Sequence, residues 1–190
     1  MLFSAADAET GAAFGVSGGA VIKEVTGDSF YKDNTAGYMN FPGAPLSIPL
    51  SQISWEKAGA RAELPLKTTD ASDYRAIVIE LAQDSTSELN RNQNQSMTVI
   101  LTDAAGKTSR IELPRGTPAL EWRNGEIEDI LGWEGELICT QYTGYTPLSC
   151  AVLPLKDFAG VDPAALKSVT LEFAGSDSGC IVVRSVSLVP

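Results

Sequence analysis

Short runs in which apolar and polar residues alternate recur along the chain, separated by clusters of Gly, Pro, Asn, Asp and Ser. In 168–174, Val169, Leu171 and Phe173 alternate with Thr170 and Glu172, the period-two pattern of a strand with one buried and one wet face. Met97, Val99 and Leu101 alternate with Thr98 and Thr102 in the same way. The run 74–82 is apolar on both faces, which predicts a central strand beneath a covering loop. The same reading places strands at 20–25, 37–41, 46–50, 61–66, 74–82, 96–102, 108–113, 136–142, 149–155, 168–174 and 180–188. The 103–107 turn carries Gly106 and predicts a hairpin, because glycine reaches positive φ cheaply. Asp162 followed by Pro163 is a helix start, an N-cap with proline at the first position, and predicts one short helical turn. Many short strands with a single helical turn define an all-β chain, a β-sandwich rather than an α/β fold.

One internal echo bears on the topology. Leu64-Pro65-Leu66-Lys67 precedes a polar turn and the apolar run 78–82, and Leu153-Pro154-Leu155-Lys156 precedes another turn and the run 170–174. Proline cannot donate to a ladder, so each unit reads as a strand closed by proline, then a crossover to the opposite sheet. Two such crossovers suit a jelly roll, whose chain moves between its sheets.

Composition narrows the chemistry. The 190 residues suffice for one domain with a core of its own. The start, 1–19, is rich in Gly, Ala and Ser and reads as a linker or boundary segment, with the ordered domain expected over 20–190. It lacks the basic and apolar regions of a signal peptide, and no apolar stretch is long enough to span a membrane. A net charge of −10 argues against nucleic acid or anionic membrane as partner, since both need a positive footprint. There is no histidine, which removes His-based triads, His-ligated zinc and imidazole acid/base chemistry. Of the three cysteines, Cys139 and Cys150 flank a Gly/Pro-bearing loop between two strand runs, which leaves a disulfide and two reduced core thiols equally open. Cys180 is left over and is expected to be buried.

The segment 153–188 resembles the C-terminal signature of carbohydrate-binding-module-like, galactose-binding-like jelly rolls in bacterial secreted proteins. That pattern is a strand, then PL-x-D-F-x-G-V-D, a short helical turn, V-x-L-x-F and S-G-x-I-x-I-D-D-I; here it reads LPLKDFAGVDPAALKSVTLEFAGSDSGCIVVRSVSL. The segments 70–82 (DASDYRAIVIELA) and 96–113 (SMTVILTDAAGKTSRIEL) are similar to the middle of such domains, notably those appended to secreted α/β-hydrolases and glycosidases. The resemblance spans about residues 55–190. It implies a jelly roll outside the cytoplasm, secreted or at the cell surface, working as an accessory module and often binding sugar. Where the family commonly has Asp-Asp in the last strand, this chain has Arg184-Ser185. In many such modules that aspartate ligates a structural calcium, and arginine there repels the ion, so a calcium site is in doubt and no other cofactor is implied.

Sugar recognition by such modules uses aromatic platforms, because the C–H face of a pyranose packs on a ring while polar groups fix its hydroxyls. The segment 121–145 holds Trp122, Trp133, Tyr142 and Tyr145 with Asn124 and Gln141, and these are the candidate ligand-binding residues. Trp55 stands before a Gly-bearing turn, and the resemblance implies a structural role at this position, so core or edge packing is expected. The acids Glu126, Glu128, Asp129, Glu134 and Glu136 form a run that reads as a solvated loop. A glycosidase pair needs two carboxyls at fixed separation with one pKa raised by burial, and adjacent loop acids do not show that. The amide-rich stretch 90–95 around Arg91 reads as a surface connection. The expected function is thus a non-catalytic module for a glycan or polysaccharide, in a protein that can also carry a catalytic domain. The alternatives are a structural accessory domain of a secreted hydrolase, and a glycoside hydrolase or lyase using carboxylates of 121–136.

Overall fold

The computed structural model describes residues 1–6, 13–26, 49–84, 87–90, 93–121, 130–131, 137–139 and 148–190. In chain order the strands are β1 (Phe3–Ser4), β2 (Gly15–Ser17), β3 (Ala20–Thr26), β4 (Pro49–Trp55), β5 (Ala60–Thr69), β6 (Ala76–Gln83), β7 (Met97–Asp103), β8 (Thr108–Leu113), β9 (Ile130–Leu131), β10 (Leu137–Cys139), β11 (Ser149–Pro154), β12 (Leu166–Phe173) and β13 (Gly179–Val189). They form two antiparallel sheets. One has the order β11-β6-β13-β4-β3, with β1 added along β13; the other has the order β2-β5-β12-β7-β8. β9 and β10 pair separately as a small ribbon.

The alternation seen in the sequence decides which face of each strand meets the other sheet. Val169, Leu171 and Phe173 of β12 and Met97, Val99 and Leu101 of β7 point inward against Ile77, Ile79 and Leu81 of β6 and Ile181, Val183 and Val186 of β13, all buried. At roughly 1.5–3 kcal/mol for each large apolar side chain removed from water, this shared layer is the main driving force for closing the sandwich. Trp55 seals one end of it, stacked on Phe173 with ring centroids 4.1 Å apart and planes 10° from parallel.

Most connections change sheets. β4 leads to β5 across the sandwich, β5 returns to β6, β6 crosses to β7, and β11 crosses to β12 before β13, the interleaving of a jelly roll. Both Leu-Pro-Leu-Lys units therefore lead into the opposite sheet. Pro154 ends its strand, but Pro65 does not: β5 runs on to Thr69. It is tolerated because β2 pairs β5 only at 61–63, and because the β5–β12 ladder is irregular just past Pro65, the edge and bulge settings that proline accepts.

The region expected as a linker contributes strands. Leu2 and Ala5 donate to the backbone carbonyls of Val186 and Arg184 (2.8 and 2.9 Å), and Phe3 and Phe14, 5% and 6% exposed, meet edge to face at 4.9 Å. Strands of two or three residues show no alternation in sequence, and these exist only because longer strands offer them open edges. β4 also lies beyond the expected 46–50. Its Ser-Gln-Ile-Ser-Trp stretch looks turn-like by composition, yet Ile53 and Trp55 alternate into the core. The expected strand 37–41 lies outside the described residues.

The 103–107 hairpin forms as expected, with Gly106 at φ +79°. The short helical turn is a single 3-10 turn, Pro163–Ala165, capped by Asp162, whose carboxylate accepts from the Ala164 N–H at 3.0 Å. Asp103 ties these two pieces together. One of its oxygens accepts from the Lys107 N–H (2.9 Å) and the other from the Asp162 N–H (3.1 Å). The Asp162 N–H, and then the other backbone donors, hold the carboxyl below its ordinary 3.8. A carboxylate with a depressed folded-state pKa adds stability above its unfolded value and loses it as acid protonates the folded form. Asp103→Asn is therefore expected to be less stable than wild type near neutral pH. That difference should shrink as pH falls through and below 3.8, as urea midpoints measured across the acid range will show.

Candidate functional site

The outer face of the five-stranded sheet carries the polar half of the alternation. Register sets three rows across it: Ser17, Arg61, Glu172, Thr98 and Glu112; then Gly15, Glu63, Thr170, Ile100 and Arg110; then Pro65, Ser168, Thr102 and Thr108. The middle strand β12 offers short side chains, Ser168 and Thr170, while its neighbours carry long ones. The centre of the face is consequently recessed, an open hollow of about 430 Å³ lined among others by Ser17, Arg61, Glu63, Thr102, Arg110 and Thr170. A register irregularity lies between Leu166 and Ser168. It makes Lys167 an extra residue against β7, and Lys167 joins the same lining; re-aiming a side chain is a common consequence of a bulge.

Glu172 organises the charge. It stands directly opposite Arg61 on β5, which pairs with one carboxylate oxygen, and the Arg110 guanidinium on β8 donates to the other. Glu172 is almost covered, whereas the two arginine side chains remain 53% and 57% exposed. Cross-strand pairs of this kind steady a sheet, but a guanidinium holds five N–H donors and one carboxylate oxygen does not use them all. The lining thus combines three cations, Arg61, Arg110 and Lys167, with one carboxylate, Glu63, and several hydroxyls. It can donate many hydrogen bonds to a polar ligand. With both oxygens of Glu172 engaged by arginines, it is not arranged as a nucleophile or proton donor.

The sequence-chosen ligand residues, Trp122, Trp133, Tyr142, Tyr145, Asn124 and Gln141, all lie outside the described residues, as do the acids of 126–136. What is described is where that segment is anchored. Before it, Ala119 and Leu120 of a 3-10 turn are buried in the core; after it, Leu148 leads into β11. β8 and β11 are terminal strands of their sheets. They share one side of the sandwich, because β2 and β3, at the other ends of the two sheets, pack on each other.

The amide-rich stretch has an internal role. Asn90 donates to the carbonyls of Asp84 and Cys180, each at 2.6 Å, and its Oδ1 accepts from Gln95 Nε2 (3.0 Å) and the Cys180 N–H (2.9 Å). Gln83 donates to the Gln93 carbonyl (2.6 Å) and accepts from the Gln95 N–H (2.9 Å). These amides replace the ladder bonds that an irregular covered loop lacks. Arg91 lies outside the described residues.

Cys180 is buried, as expected, beside Asp84 under this loop; burial and then the nearby Asp84 charge push its thiol well above the ordinary range. Cys150 stands on an exposed position of β11, and the Cys139 side chain, the other half of the pair considered from sequence, lies outside the described residues. Arg184 pairs with Glu80 at 2.9 Å and the Ser185 hydroxyl donates to its other oxygen at 3.3 Å. The position where related jelly rolls carry aspartates is therefore an ion pair. Among the described residues no group of three or more acids or cysteines could hold a metal ion.

The hollow was missed from sequence. Period two marks Arg61, Glu63, Arg110, Thr170 and Glu172 as outward, but only strand order makes neighbours of residues far apart in the chain.

The chain has a carbohydrate-binding-module-like β-sandwich fold. It is similar to the family 11 carbohydrate-binding module from Clostridium thermocellum in complex with a β-1,3-1,4-mixed-linked tetrasaccharide, with 11% identity over 94% of this chain and 88% of that one and a TM-score of 0.50. A non-crystalline cellulose specific carbohydrate-binding module of family 28 aligns over 74% of this chain and 75% of its own, at 12% identity and a TM-score of 0.45. No protein-family model and no curated protein matches the sequence. Among the described residues no helix is long and apolar enough to cross a membrane.

Proposed function

We propose that this chain is a non-catalytic carbohydrate-binding module acting outside the cytoplasm, secreted or at the cell surface. The observation that carries this reading is the open hollow on the five-stranded sheet of a sandwich built like known carbohydrate-binding modules. It is open to solvent and lined with hydroxyls, guanidinium groups and an ammonium, groups that can bond sugar hydroxyls. Trp122, Trp133, Tyr142 and Tyr145 supply the stacking surface that the hollow lacks among its described residues, with Asn124 and Gln141 bonding the hydroxyls. The segment that holds them runs from the 3-10 turn Pro118–Leu120, which packs on β6 and β11, to the start of β11 itself. In a longer protein the module would hold an attached catalytic domain on its substrate.

Affinity electrophoresis against a panel of neutral and acidic soluble polysaccharides tests this. Wild type should be retarded by at least one of them. Trp122→Ala and Trp133→Ala should each weaken that binding by about tenfold, the order expected for losing one aromatic contact. Retardation by none points instead to an accessory domain that only packs on a hydrolase. Sugar release by the isolated chain would favour the carboxylate enzyme built on 121–136.

A further inference from the structure

Building on the glycan-binding reading, we infer that the hollow takes an acidic sugar, with Arg61, Arg110 and Lys167 receiving the carboxylate of a uronate unit. Three observations support it. First, the lining holds three cations against one carboxylate, and counting Glu172, which bonds both arginines from beneath, the cations still lead by three to two, although the chain as a whole carries −10. A locally basic recess on an acidic molecule selects by charge, because the surrounding surface repels polyanions that cannot reach it. Second, Arg61 and Arg110 are fixed on both sides of the covered Glu172 and still remain more than half exposed. Glu172 orients the guanidinium groups in advance, which lowers the entropy lost when a ligand binds, and their remaining donors suit a planar carboxylate. Third, the described lining includes no aromatic ring, its one apolar member being Ile100. The described wall is therefore suited to polar recognition, with Ser17, Thr102, Thr108 and Thr170 bonding ring hydroxyls around the carboxylate.

The test compares polygalacturonate with the same polymer after carboxyl reduction, by isothermal titration with the full chain at low and high salt. Binding of polygalacturonate, lost on carboxyl reduction and weakened by salt, is expected. Arg110→Gln should raise the dissociation constant about tenfold or more, as expected for losing a charge-assisted hydrogen bond, and Lys167→Gln should raise it several-fold. Lys156→Gln, exposed and outside the hollow, should leave it unchanged. Lys167 makes no ion pair with Glu172, so its variant keeps the site testable even if Arg110→Gln unfolds the sheet. Equal affinity for the native and reduced polymers, or binding that Lys167→Gln and Arg110→Gln leave intact, overturns the acidic-sugar site. Binding to neutral glycans alone also overturns it while sparing the module reading, whereas binding to no glycan at all removes both.

Discussion

Replacing Trp55 by alanine is expected to lower the unfolding free energy by about 3–5 kcal/mol, the range for removing a fully buried large aromatic side chain. The ring is 1% exposed, stacks on Phe173, and its indole N–H donates to the Ser176 carbonyl at 3.4 Å. The site cannot refill itself, because the chain is built tightly around the ring. A Cβ added at Gly179 would lie 2.3 Å from Trp55 Cζ2, so β13 already meets the indole with glycine backbone. Denaturant unfolding measures the loss. Trp55→Phe should recover part of it, since a smaller ring can still lie on Phe173. A near-neutral Trp55→Ala would mean that Trp55 does not seal the sandwich. The residue is placed too deep to reach a glycan, so any effect of this substitution on binding should follow the loss of folded protein.

Asn90→Ala is expected to cost about 3–5 kcal/mol, because it strips partners from several covered groups at once and each orphaned polar group costs about 1–3 kcal/mol. Asn90 is fully buried and ties Asp84, just past the end of β6, and Cys180 of β13 to the loop that leads into β7. Asn90→Asp is the informative companion. It keeps the acceptor that serves Gln95 and Cys180 but removes both donors, and it brings a charge near buried Asp84. It should be at least as damaging as alanine. If both variants match wild type in urea unfolding, the amide network is dispensable and the loop is held by other contacts.

The two effects illustrate what could be read from the sequence. The β12, β7 and β8 strands, the Gly106 hairpin and the Asp162 cap were legible because each is written in adjacent residues: alternation, a turn glycine, an N-cap with proline. Trp55 was legible as a packing residue through the resemblance, which implies a structural role at its position before the turn. β1 and β2 were not, since Phe3 and Phe14 acquire partners only when β13 and β5 present open edges. Nor was the role of Asn90, whose composition suggests a wet loop while its partners lie ninety residues away at Cys180. The hollow has the same character. Arg61, Arg110 and Glu172 look like three unrelated surface charges until β5, β12, β7 and β8 are set side by side. Local signals name the faces of strands, and long-range strand order composes the surface.

We propose that this sandwich binds glycan and leaves it intact. A glycan array probed with the full wild-type chain tests it most directly. Saturable binding to at least one class of plant, algal or microbial polysaccharide is predicted, with the bound glycan recovered intact. A folded chain that binds no glycan on the array, or that returns its glycan cleaved, contradicts the account.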